Sequence, residues 1–175
     1  YHVHAMSRDQ AAMGHDVTVL TVGKNGRDSK TGYEVVRRPA TGEVLGNEIS
    51  LGVARYLRQN AETFDVMHAH SHLYFSTNLA ALTRRLGGPP LAVTNHGLYS
   101  QTASEQLFNA YLRTLGRWTF DQGEVVFCYT DEDRERLRDI GVSAPVEVVP
   151  NGIDTSRFTP DGTTSDRISG GDPVV

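Results

Sequence analysis

The chain has 175 residues, of which 38% are hydrophobic and 22% charged, with a net charge of −4. This suits one soluble globular domain with a real core and gives no reason to expect a nucleic-acid partner. One cysteine, Cys128, excludes an intramolecular disulfide and reads as a buried thiol in a reducing compartment, and no run approaches the roughly 20 apolar residues of a membrane span. With no signal peptide at its start, the cytoplasm is the expected location.

The pattern alternates helix and strand. Residues 2–13 read as a helix that Gly14 caps at its C-terminus. Residues 16–22 form the cleanest strand, 23–32 a polar loop, and 33–37 a second short strand ended by Pro39. Ile49, Val53 and Leu57 recur at helical spacing with Ala54 and Ala61, which predicts a helix over 47–63. A strand at 66–69 precedes a helix over 74–86, with Leu79, Leu82 and Leu86 on one face and a stop at the Gly-Gly-Pro-Pro of 87–90. Next come a strand at 91–94 and a helix over 104–120 whose Phe108, Leu112 and Leu115 have core spacing. A strand at 124–129 follows, then a charged helix over 131–140, capped by Thr130 and ended by Gly141. Arg134, Arg136 and Arg138 interleave there with acids, as on a solvated, ion-paired face. The last strand, 146–149, stops at Pro150, and Asn151-Gly152 supplies a tight turn. Residues 161–172 read as linker and 173–175 as the start of another strand.

Alternation of this kind predicts an α/β fold, a doubly wound, Rossmann-like parallel sheet covered by helices on both faces. Both ends read as severed. A first strand with a glycine-rich turn is expected upstream of Tyr1 and a further domain downstream, so 1–160 is expected as one domain and 161–175 as linker leading into the next. Three strands end in polar turns, DVMHAH at 65–70, TNHG at 94–97 and VPNGID at 149–154. In an open α/β sheet, strand C-termini are where ligands bind.

These motifs, together with YHVH at 1–4, GHDVTV at 14–19, TDE at 130–132 and Phe158, resemble the N-terminal half of glycosyltransferase family 4. That family comprises retaining, nucleotide-sugar-dependent enzymes with two Rossmann-like lobes, the GT-B fold. The resemblance covers nearly all of 1–160, although Gln10 stands where the family's first helix usually carries leucine. It implies transfer of a sugar from a nucleotide-sugar donor to an acceptor hydroxyl with retention, in glycan, glycolipid or cell-envelope polysaccharide synthesis. This chain would be the acceptor-side lobe, with the donor held mainly by a C-terminal lobe of the same parent chain and no divalent metal or other cofactor required. Association with a membrane surface stays open, because some relatives act on lipid-linked acceptors. The isolated lobe is expected to be inactive.

His96 is the leading catalytic candidate. It follows a buried strand, and the matching family histidine lies at the active site, where an imidazole can donate a hydrogen bond to a sugar hydroxyl. Asn95 and Gly97 flank it as candidate substrate contacts, though a turn glycine serves structure equally well. The resemblance places His70 near the cleft and His68 partly buried at the strand end. His68, His70 and His72 would share a face on a continuing strand, as metal ligands sometimes do, but the spacing departs from that of metallohydrolases and no metal site is assigned. Asn151 and Asp154 first suggest turn chemistry, with substrate contact open for Asn151. His2 and His4 begin the first helix, whose N-terminus points at the expected phosphate site, and His2 is a candidate to assist there. The alternative is a Rossmann-like binding module or a sugar-nucleotide epimerase relative. An NAD enzyme is disfavoured because no G-x-G-x-x-G follows a strand.

Overall fold

The structure is a computed structural model that describes residues 2–30, 32–44, 46–98, 104–153, 155 and 159. The expected linker, Asp154 and Phe158 lie outside the described residues. Helix α1 (His2–Ala12) leads through Gly14, at φ +96°, into β1 (Thr18–Val22). Strand β3 (Tyr33–Arg38) pairs parallel to β1 and antiparallel to β2 (Gly26–Lys30). A hairpin of β4 (Gly42–Val44) and β5 (Asn47–Ile49) precedes α2 (Leu51–Asn60), and a 3₁₀ turn follows at Ala61–Thr63. The remainder alternates as β6 (Met67–His70), α3 (Phe75–Arg85), β7 (Leu91–Thr94), α4 (Glu105–Tyr111), a π turn (Leu112–Gly116), α5 (Arg117–Asp121), β8 (Val125–Cys128), α6 (Asp131–Asp139) and β9 (Val146–Val148). Strands β6-β7-β8-β9 form a four-stranded sheet that is parallel throughout.

Strand alternation sorts that sheet into two faces. Met67 and Ala69, Leu91 and Val93, and Val126 and Cys128 pack with Ala80 and Ala81 of α3, Phe120 of α5 and Leu137 of α6. Fully burying a side chain such as Leu91, Phe120 or Leu137 contributes about 1.5–3 kcal/mol, and all three are wholly inaccessible. Cys128 is buried here as a free thiol. The intervening residues, His68, His70, Thr94 and Phe127, point to the opposite face.

Four expectations need correction. The stretch read as a polar loop, 23–32, contains β2. It lacks the β-branched and aromatic residues that signal a strand and is held instead by diagonal cross-strand ion pairs, Arg27–Glu34 at 2.7 Å and Arg37–Asp28. The helix predicted from Asn47 begins at Leu51. Asn47–Ile49 is drawn into the hairpin, and Ser50 is the cap, accepting from Val53 N at 3.2 Å and donating to Pro39 O at 2.7 Å. On α3 the buried face is Thr77, Asn78, Ala80 and Ala81, while Leu82 and Leu86 are exposed. The helix predicted over 104–120 contains the π turn, which puts Leu115 out of phase so that it is exposed, with Gly116 inward in its place.

The parallel sheet does not run on into β1. Strand β1 is an edge of the three-stranded sheet and β6 an edge of the four-stranded one. Between them lies a mainly apolar cleft of about 360 Å³, lined by Leu20, Tyr56, Met67, Ala69 and Tyr74 among others.

Candidate functional site at the strand C-termini

A cleft of about 710 Å³ opens between α1, the second sheet face and the segment after β9. Its lining includes His2, Met6, His68, Thr94, Tyr129 and Asn151. The sheet register sets His70, Thr94 and Phe127 side by side, so the chain leaving β7 carries His96 to the mouth of the sheet beside His70. His70 Nδ1 and His96 Nε2 are 3.2 Å apart. His96 Nδ1 meets the Tyr129 hydroxyl at 2.7 Å, and the Asn151 side chain adds a hydrogen bond to that hydroxyl. His68 stacks on His70 with ring centroids 4.5 Å apart and is tied to Thr94 Oγ1 at 2.7 Å. His2 lies edge-on to both His70 and His96, at 5.7 and 5.3 Å between centroids.

The imidazoles of His68, His70 and His96 are held neutral. Burial, and secondarily the charge of neighbouring histidines, lowers His68 to about 4 and His70 to about 3. Burial, then His2, lowers His96 as well. At neutral pH His68, on the cleft wall, and His70 and His96 beside it are uncharged hydrogen-bonding groups, each with one ring N–H and one lone pair, partly used by Thr94 and Tyr129. Burial raises the Tyr129 hydroxyl above its ordinary value, opposed by the Asn151 hydrogen bond, so it remains protonated.

The candidates divide by what the backbone does after each strand. His96, His70, His2 and Asn151 come together. Gly97 has φ +118°, a left-handed conformation that a side chain would strain, and Asn95 Oδ1 accepts from its N–H at 3.3 Å. Asn95 itself is fully buried and folds back to shape the turn. The alternation of His68 and His70 does not extend to His72. Ser71 takes φ +64°, the one positive value among non-glycine described residues, and drops His72 into the core. There it stacks near Phe120 and Tyr111, with neither ring nitrogen in a formed hydrogen bond. His4 is engaged elsewhere, with Tyr33 at 2.6 Å. Tyr129 and Thr94 were not singled out from sequence. The only signal for Tyr129 was its place at the end of a strand whose C-terminus faces the same side as His70 and His96.

The sequence profile of Glycosyltransferase Family 4 matches residues 1–157. The chain belongs to glycosyltransferase family 4. Among curated proteins, it is 28% identical over 102 residues to a GDP-mannose:cellobiosyl-diphosphopolyprenol alpha-mannosyltransferase of Xanthomonas oryzae pv. oryzae, covering 58% of this chain and 27% of that protein. The Xanthomonas campestris protein of the same name is 27% identical over 99 residues, covering 56% and 26%. The match thus spans about a quarter of those relatives' length. Among solved structures, a sucrose-phosphate synthase from Thermosynechococcus elongatus superposes with a TM-score of 0.59 at 14% identity, covering 86% of this chain and 85% of that one. The fold expected from sequence, a Rossmann-like lobe of the GT-B type, is thereby shown. No helix among the described residues is long and apolar enough to cross a membrane.

Proposed function

We propose that this family 4 chain is the acceptor-side lobe of an enzyme that transfers a hexose from a nucleotide-sugar donor to an acceptor hydroxyl with retention of configuration. The observation that carries this reading is the neutral His96, anchored by Tyr129 at one ring nitrogen and facing His70 with the other, at the open C-terminal end of a parallel sheet. Neutral imidazoles suit a polyhydroxylated ligand, because a ring nitrogen not held by a protein partner can donate to a hydroxyl oxygen or accept from a hydroxyl, according to its tautomer. His70 and His96 would orient the sugar, with Asn151 acting on them through Tyr129. The names of the two Xanthomonas relatives favour a hexosyl donor and a lipid-diphosphate-linked saccharide acceptor, and hence work at a membrane surface. Charge developing on the leaving diphosphate would be met by helix N-termini and by basic groups of a C-terminal lobe, so the transfer itself needs no resident metal.

The test uses the full-length protein, a panel of nucleotide sugars and release of free nucleoside diphosphate, wild type against His96→Ala. Release that drops in the variant is the expected result. Release that is unchanged removes His96 from the reaction and keeps the enzyme class. No release with any donor, in the presence of lipid-linked saccharide acceptors, favours the binding-module alternative.

A further inference from the structure

His2, His70 and His96 form the one group of three potential metal-ligating side chains among the described residues whose ligand atoms lie close together, one ring nitrogen from each being within 4.8 Å of the others. We propose that these three histidines constitute a binding site for a late first-row transition metal ion of the zinc type, and that the ion opposes sugar transfer when it sits there. The second half rests on the reading given under Proposed function; the first half does not.

The geometry supports chelation in three respects. Two nitrogens each about 2.0–2.1 Å from a tetrahedral zinc stand roughly 3.3 Å apart, and His70 Nδ1 and His96 Nε2 are already 3.2 Å apart. His96 is also oriented by an outer partner. When its Nδ1–H donates to the Tyr129 hydroxyl, at 2.7 Å, its Nε2 lone pair turns toward His70 and His2. An outer hydrogen bond of this kind is what ligating histidines characteristically make, because it sets the tautomer and the ring plane. His2 is the first residue of α1 and already brings a ring nitrogen within 4.8 Å of the other two, so a change of its side-chain rotamer is the movement that ligation would require. His68 is excluded from the set although it stacks on His70, because its Nε2 is held by Thr94.

The donor set also selects the ion. Three imidazoles without a carboxylate suit zinc, cobalt, nickel or copper and disfavour magnesium and calcium, which require oxygen ligands. Three protein ligands leave a fourth position open to the cleft for water or an anionic oxygen. An ion bound in this way takes the same His70 and His96 lone pairs that a sugar hydroxyl would use, so metal and substrate exclude each other.

The experiment uses the full-length protein, stripped with chelator and titrated with Zn²⁺ alone by calorimetry and with Co²⁺ alone by visible absorption. One equivalent should bind, with the intense visible bands of four-coordinate cobalt. His70→Ala and His96→Ala should each weaken zinc by at least about 100-fold, and Tyr129→Phe, which removes only the outer partner, by about tenfold. His15→Ala, beyond the far end of α1, should change nothing. Should an alanine variant lose its fold by circular dichroism, His70→Asn and His96→Gln replace it. No stoichiometric binding, or binding indifferent to substitution of His70 and His96, overturns the site. Full turnover with zinc saturating overturns the opposing role. Stoichiometric, histidine-dependent binding in a protein that turns over no donor leaves the metal site standing and counts against the transferase reading instead.

Discussion

His96 and Tyr129 act as a unit, since the hydroxyl holds the ring that faces His70. Loss of the imidazole in His96→Ala should lower kcat/KM about 10- to 100-fold, the effect of one or two hydrogen bonds to a reacting sugar. Tyr129→Phe, which keeps the ring in place and removes only its anchor, should cost less, roughly 3- to 10-fold in steady-state rates. Because burial lowers the His96 pKa from 6.5, the acid limb of the rate profile should fall below pH 6.5. His72 concerns stability. Burial first, opposed by the nearby Asn95 side chain, takes its pKa from 6.5 to about 4. The unfolded chain therefore takes up the proton first, so stability is intact above pH 6.5 and drains away as the pH falls toward 4. The ceiling for this residue is about 3 kcal/mol. His68 and His70 add in the same direction. Urea midpoints measured from pH 7 to 4.5 should decline steeply for wild type and less steeply for His72→Phe; equal slopes would assign the acid sensitivity elsewhere.

Among the elements, the caps were legible and the internal phase of the helices was not. Thr130 caps α6 as its spacing predicted, accepting from Asp133 N at 3.1 Å. Ser50 caps α2 from within a buried corner, so Ser50→Ala removes a cap and also strands Pro39 O. A loss of about 1–2 kcal/mol is expected, against about 1 kcal/mol for the exposed Thr130→Ala, read as shifts in urea midpoint. The leucine stripe of α3 does not face the core, because close approach to the sheet favours alanine and threonine, and Asn78 bonds Thr119 on α5 at 2.8 Å. The π turn is likewise invisible to a 3.6-residue period. Tyr111, just before it, donates to His72 O at 2.5 Å, which ties the irregular helix to the residues that follow β6.

At the scale of the molecule, the divided sheet is the feature with most consequence. Among the described residues, strands β1 and β6 each present an unpaired edge to an apolar cleft with the character of a strand seat, and β1 is half-buried along its whole length. A further strand seated there would join α1 and β1 into a β-α-β unit and cover backbone groups that are otherwise ready to pair with another chain. In the full-length protein the amides of Thr18–Val22 and Met67–His70 should therefore exchange as slowly as those of Leu91–Thr94. Exchange in the first two strands at the rate of exposed edges would mean that the seat is not filled by a strand.

The α/β class, the order of the main strands and helices, the resemblance to the family and the three polar strand ends were legible along the chain, because periodicity, caps and turn residues are local and act through near neighbours. Which of the clustered residues meet depends on how the elements pack. Asn95 and His96 are adjacent in the chain, yet one is fully buried and the other meets His70 and Tyr129, and His70 and His72 part company at a single left-handed residue. His2 and Tyr129 reach His96 from the start of α1 and the end of β8, and Asn151 reaches Tyr129 from the segment after β9. No spacing along the chain encodes those contacts, since they follow from strand register and from the packing of α1 over the sheet.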